Sequence, residues 1–232
     1  MPFSGGHTLQ THPSPRMPRD PWRYDPGGPV AAAAGEGPFR VRGHAFQTAL
    51  DYVDQRLAGG RAGFLAALGP EDAAPYFDQI FVASGDYDIA PLVLLYCTAA
   101  RMKGVATGRF IEARSRWSAA SVVQGLWKPV LKTVSPEAMA ERVHYAFNRF
   151  FEPCRANPLG VTPGRLEVEL TSIPGHMNGL YASSTIGFVE ACLALAGAVD
   201  AKLQFDPPQS SGELKGVPTE RLRFVATWKA PS

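Results

Sequence analysis

Gly164-Arg165-Leu166-Glu167-Val168-Glu169-Leu170-Thr171 alternates apolar and polar side chains residue by residue. A period of two belongs to a strand with one buried face. Toward the N-terminus, beyond the turn-rich stretch from Pro158 to Gly164, the period is 3.6. Phe46, Leu50, Val53 and Leu57 predict an amphipathic helix ended by Gly59-Gly60, and a shorter one runs from Ala62 to Leu68. Pro70-Glu71-Asp72 looks like the opening of another helical turn. The segment from Ile89 to Met102 is apolar nearly all round, the mark of an interior helix. Thr107 caps a helix carrying Phe110, Ala113, Trp117 and Ala120, and Ser135-Pro136-Glu137 opens one carrying Met139, Val143, Phe147 and Phe150.

Toward the C-terminus, a helix with Ile186, Val189 and Leu193 runs to a Gly197 cap. Two strands follow, with Val199, Ala201, Leu203 and Phe205 on one face of the first and Leu222, Phe224, Ala226 and Trp228 on one face of the second. The connection from Asp206 to Glu220 reads as a long loop. Helices fill the first two thirds of the chain. The expected fold is therefore α+β: an N-terminal helical layer packed on a small C-terminal antiparallel sheet interrupted by one helix.

The chain of 232 residues is long enough to bury roughly 70% of its unfolded surface. With 45% hydrophobic and 19% charged residues it is neither disordered throughout nor a coiled-coil rod. A net charge of +2 argues against nucleic-acid binding through bulk charge. Residues 1–38 contain eight prolines and no sustained apolar period, so they read as a flexible extension. Trp22, Tyr24 and Phe39 give that end of the chain the means to dock on the domain or on a partner. Residues 39–229 read as one domain. A basic start followed by an apolar stretch is missing at the N-terminus, and the longest apolar run, Ile89 to Ala100, is about half of the roughly 20 residues a membrane span requires. The expectation is a cytoplasmic protein. Cys97, Cys154 and Cys192 are odd in number and far apart, which suits neither a disulfide framework nor a cysteine zinc site.

The run Gly187-Phe188-Val189-Glu190-Ala191-Cys192-Leu193-Ala194-Leu195-Ala196-Gly197, followed by strands ending at Trp228, resembles a family of roughly 200-residue proteins expanded into paralogues in myxobacteria. Arg42-Gly43-His44-Ala45-Phe46, the stretch from Ala83-Ser84 to Tyr87, and Gly164-Arg165-Leu166-Glu167-Val168 extend the resemblance over residues 41–228. It implies a layout similar to four-vinyl-reductase-type sensor domains, haem nitric-oxide-binding domains and transport-complex subunits. In those, a helical layer on a small sheet encloses an apolar cavity or a haem, or presents a dimerisation surface. Sensor-type relatives bind zinc through cysteines near the last hairpin. Gly216 to Trp228 has none, with Leu222 where one is expected, so no zinc site is carried over.

Catalytic signatures are missing. Tyr181-Ala182-Ser183-Ser184-Thr185 lacks the glycines of a nucleophile elbow, and Gly35-Glu36-Gly37 follows no strand, so it is neither a dinucleotide fingerprint nor a phosphate loop. Asp86 and Asp88, beside Gly85, suit turn and cap positions better than a cation site. The protein is therefore expected not to be an enzyme, and no cofactor or metal is assigned. His144, near Tyr145 and Phe147, is the histidine placed to border an aromatic interior, and the minor reading of a haem-based gas sensor would use it as axial ligand. His44 and His176 sit near segment ends. The Tyr-x-Ser-x-Arg element of haem-binding relatives does not occur; Ala113-Arg114-Ser115-Arg116 echoes it without the tyrosine.

Two functions stay open. In one, a signalling domain binds a small apolar ligand between helices and sheet, with Tyr96, Trp117, Trp127, His144, Tyr145 and Phe147 as lining residues. In the other, a protein-interaction or scaffold subunit with a closed core docks an acidic protein partner. Its surface would be the basic stretch from Arg101 to Lys132, where seven basic residues face Glu112 alone, with Arg109, Arg114 and Arg116 at its centre. Self-association into a homodimer is expected in either case.

Overall fold

The computed structural model describes residues 34–68, 74–122 and 135–230. Residues 1–33, the Pro70-Glu71-Asp72 opening, Trp127, Lys128 and Lys132 lie outside them. A three-residue strand, Arg40–Arg42 (β1), leads straight into Gly43–Arg56 (α1), and Gly60–Leu68 (α2) begins on the second glycine of the Gly59-Gly60 pair. Gly59 and Gly60 both have positive φ, so the chain can reverse there where a side chain would be strained. A 3₁₀ turn, Ala74–Asp78, precedes Asp86–Asp88 (β2), which pairs antiparallel with β1.

Asp88 then caps Ile89–Lys103 (α3), accepting the Ala90 N–H. At its other end Gly104 adopts the left-handed conformation. This helix is buried nearly all round, as its apolar run predicts. Thr107–Val122 (α4) lies against it. Pro136–Phe150 (α5) starts on Ser135, whose hydroxyl accepts the Ala138 N–H at 3.2 Å. Arg155–Thr162 (β3) and Arg165–Pro174 (β4) form the hairpin that contains the diagnostic alternation, and Leu166, Val168 and Leu170 are buried there. Asn178–Leu195 (α6), Val199–Phe205 (β5), Gln209–Leu214 (β6) and Val217–Lys229 (β7) complete the chain.

The antiparallel sheet has the order β3-β4-β7-β5, and β6 joins the same side of β7 as a continuation of that edge. The long β7 is thus the central strand. One sheet face is solvated and carries ion pairs such as Arg223 with Glu167. Helices α5 and α6 cover the other, and α4 packs along α6 to join the helical layer to the sheet. A single hydrophobic core runs through both layers.

Four expectations change. The Asp206–Glu220 connection holds β6, a tight turn and the first residues of β7. The turn-rich Pro158 stretch is part of β3, an edge strand with a bulge between Pro158 and Gly160; an edge tolerates proline because its outward N–H has no strand partner. On α4, Ala113 is exposed, and the buried face carries Phe110, Ile111, Arg114, Ser115, Ser118 and Ala119. The end of the expected N-terminal extension is tied down: Gly35 and Gly37 donate backbone N–H groups to Asp88 at 3.0 and 2.9 Å, and Lys215 Nζ donates to Pro38 O at 2.7 Å. Phe39 is in the core.

Candidate functional site

The polar groups that bury without a partner mark where this core is incomplete, because an unmade hydrogen bond costs more than a made one contributes. His144 Nδ1 and Tyr181 Oη are two of them. His144 borders an apolar crevice between α5, α6 and the sheet. Val143 and Phe147 line it from α5, and Thr185, Phe188 and Val189 from α6. Ala156, Val168, Leu170 and Phe224 form its floor. Tyr181 stands one helical turn before Thr185, whose hydroxyl donates back to the Tyr181 carbonyl at 2.7 Å. The Phe147 ring lies 6.2 Å from the Tyr181 ring. The crevice is narrow, with a free volume of about 10 Å³, room for a single water at most.

A larger hollow of about 120 Å³ lies on the solvated sheet face between Glu169, Asp206, Gln209, Arg221 and Arg223. Its arginines are engaged already, Arg223 with Glu167 and Arg221 with Glu169 and Gln209. Of these two hollows the crevice is the better candidate, because apolar walls there meet a buried nitrogen without a partner, His144 Nδ1.

Of the six residues expected to line a ligand, His144 and Phe147 are brought together in the crevice. Tyr96 and Trp117 belong to a separate aromatic group among α1, α3 and α4, where Tyr52 meets Trp117 and Phe110 edge-on at 5.4 and 5.5 Å. Tyr145 is 68% exposed and faces away from the interior. Trp127 lies outside the described residues. Sequence reasoning missed Tyr181, Thr185 and Phe188. The signal for the floor was already visible as the buried alternation of β4.

Among the described residues, the arginines of the basic stretch do not form one surface. Arg114 is 7% exposed, so it offers nothing to a protein partner. Its guanidinium donates to the Thr48 hydroxyl and to Ala45 O at 3.2 Å, and lies 5.5 Å from the centre of the Tyr96 ring. Arg116 bridges to Glu190 on α6 at 2.6 Å and to Glu112 at 3.8 Å. Arg109 remains 80% exposed, against Glu112 at 3.4 Å. Helical spacing explains the scatter: residues two apart on a helix do not share a face. Asp86 pairs with Arg42, and no cluster of three metal-ligating side chains occurs among the described residues.

Burial pushes the Cys192 thiol up to about 12 and the Cys154 thiol higher, so neither is a nucleophile at neutral pH. Burial and then the Arg114 charge hold His44 below the ordinary 6.5, outweighing the opposite pull of Asp51 and the Gln47 hydrogen bond; burial alone lowers His176. Both histidines bind protons more readily in the unfolded chain, so stability rises with pH through the interval from their folded values up to 6.5 and is lost on acidification through it. The urea midpoint is expected to fall between pH 7.5 and 5.5, and His44→Gln should flatten that fall. An unchanged slope in the variant would remove His44 as a cause.

No family model matches the chain, and no curated protein matches it. Solved structures do. A Cs H-NOX mutant carrying 4-cyano-L-phenylalanine at its site 5 aligns with a TM-score of 0.58 at 16% identity, covering 82% of this chain and 97% of that one. The Fe(II) unliganded H-NOX protein from K. algicida gives 0.54 at 12% identity over 81% and 96%. A further structure, solved to probe the function of haem distortion in the H-NOX family, gives 0.55 at 17% over 82% and 96%. The fold resembles that of H-NOX domains. Haem nitric-oxide-binding domains are among the groups that the sequence resemblance named, and these neighbours bear that part out only as a fold. No family model supports the resemblance to the myxobacterial family.

Proposed function

We propose that this protein is a non-catalytic sensory or regulatory domain that admits a small apolar ligand between α5, α6 and the sheet and passes its occupancy to a partner. The observation that carries the reading is the crevice itself: apolar walls around a buried His144 Nδ1 that has no hydrogen-bond partner. A ligand with an apolar body and one hydrogen-bonding end satisfies both. In the described packing the crevice is too narrow for a ligand, so binding selects a state in which α5 has moved off the sheet. The ligand shifts the equilibrium by its differential affinity for that state.

Haem distortion is the subject of one of the neighbours in fold, so haem is the group to test for fit. The residues present do not fit it. The crevice of about 10 Å³ must open for any ligand, and a group as large as haem, toward the upper end of the roughly 300–1,000 Å³ range of ligand pockets, asks for far more opening than a small apolar molecule. The Tyr-x-Ser-x-Arg pattern is missing, and His144 is the one feature in favour. No single helix among the described residues is long and apolar enough to cross a membrane.

Native mass spectrometry of the freshly purified chain, beside a denaturing spectrum and a visible absorption scan, tests the proposal. The expected result is a bound small mass lost on denaturation, without a Soret band. Val189→Trp, which fills the crevice, should abolish the bound mass. Val189→Ala is expected to retain it. An empty natural chain overturns the reading. The small crevice volume then favours the second reading, an interaction or scaffold subunit with a closed core, and the same spectrum reports whether the chain self-associates.

A further inference from the structure

Ile80 is 88% exposed and Val82 57% exposed. Two bare aliphatic side chains so close together usually signal a loose loop, but this loop is fixed. Phe81 between them is buried and stacks on Phe46, ring centres 4.3 Å apart and 3° from parallel. Gln47 Nε2 donates to Phe81 O at 2.7 Å, the Val82 N–H donates to the Tyr87 hydroxyl at 2.8 Å, and the His44 N–H donates to Ala83 O at 3.1 Å. The fold therefore holds Ile80 and Val82 out in water in a set geometry, the arrangement of an anchor patch.

The N-terminal part of the chain enters the structure beside this patch. A Cβ on Gly35 would meet the Tyr76 ring at 3.3 Å, and the Tyr76 ring is 5.9 Å from that of Phe81. Residues 34–38 are strapped down by Asp88 and Lys215, and Phe39 is already in the core. Upstream stands Pro21-Trp22-Arg23-Tyr24. An extended chain of ten residues spans up to about 33 Å, so Tyr24 can reach Ile80 from residue 34. Asp78, exposed beside the patch, makes no ion pair among the described residues, and Arg23 lies between the two aromatic residues.

We propose that Trp22 and Tyr24 cover Ile80 and Val82 of the same chain, with Arg23 beside Asp78. Aromatic side chains with polar tips suit a partly wet apolar patch, and flanking prolines lower the entropy lost on docking.

The test uses the full chain and brief trypsin digestion, with cleavage at Arg23–Tyr24 followed by mass. The double variant Ile80→Asp, Val82→Asp should cleave there about tenfold faster than the natural protein, with an unchanged near-UV circular dichroism spectrum because neither side chain belongs to the domain core. Reciprocally, Trp22→Ala with Tyr24→Ala should speed backbone hydrogen exchange in residues 80–83. That second variant decides the matter if the aspartate pair unfolds the domain. Equal cleavage in folded variant and natural protein, or unchanged exchange, overturns the proposal. Protection that grows with protein concentration alongside a dimer mass overturns it too, assigning the patch to a second copy.

Discussion

Asp88→Ala is expected to lower the unfolding free energy by about 3 kcal/mol, since a buried donor left without an acceptor costs roughly 1–3 kcal/mol and a part-buried one that can turn to water costs less. The carboxylate is 1% exposed and accepts three backbone N–H groups, from Gly35 at 3.0 Å, Gly37 at 2.9 Å and Ala90 at 3.0 Å. Alanine would orphan the buried Gly37 N–H and take the acceptor from the part-buried Gly35 and Ala90 N–H groups. The loss is distributed across the fold, because one residue both caps the interior helix α3 and holds the incoming chain. The urea midpoint should fall with the slope unchanged.

Asp88→Asn separates shape from charge. The amide oxygen can still accept, but the NH₂ would face one set of donors, so an intermediate loss is expected. A variant as stable as the natural protein would show that residues 34–38 are not held by this group. Gly37 is constrained by the same contact, since a Cβ there would lie 2.3 Å from Asp88 Oδ1.

Elements that follow a simple period were legible in the sequence. Strand β4 and the second half of β7 alternate, α1 and α5 repeat at three and four, and α3 is apolar all round. Elements that failed to be read have a physical reason in common: small, polar or proline residues interrupt the apolar period that their burial would otherwise show. The first half of β7, with Pro218, Thr219 and Glu220, is held by neighbours on both sides. The early turns of α6 bury Asn178, Gly179, Ser183 and Ser184, which propensity assigns to turns and caps. The missed signal was spacing: Gly179, Ser183 and Gly187 recur every four residues, a small-residue face that lets another helix approach.

The candidate site was harder to read for a related reason. Aromatic content located Tyr96 and Trp117 correctly as interior or near-interior residues, yet it cannot say which layer they serve. They pack helix against helix, while the crevice opens between helix and sheet, where aliphatic residues of β4 set the floor. Charge density misled in the same way. Arg101, Arg114 and Arg116 point to Ala67, Thr48 and Glu190, three different elements, so summing their charges over a sequence window describes no real surface.

Gly187→Ala is the second substitution with a large expected effect, and it tests that small-residue face. A Cβ at Gly187 would lie 2.2 Å from the Glu112 carbonyl oxygen and 2.8 Å from Ser115 Cβ. Backbone cannot rotate aside as a side chain can, so α4 and α6 must separate. Overpacking typically costs about 1–3 kcal/mol, and a backbone clash puts this case near the top, about 3 kcal/mol despite alanine's better helix propensity. Gly108→Ala, on α4, is the control. Its Cβ would meet only the Ser183 hydroxyl at 3.1 Å, so it should be within about 0.5 kcal/mol of neutral. Because α6 touches α4 on one side and lines the crevice through Thr185, Phe188 and Val189 on another, the Gly187 change should also alter the mass bound in native spectra, whereas Gly108→Ala should leave it as it is. Equal stability of the two variants would show that α4 and α6 do not approach as closely as described, and would remove the link between the helical layer and the crevice.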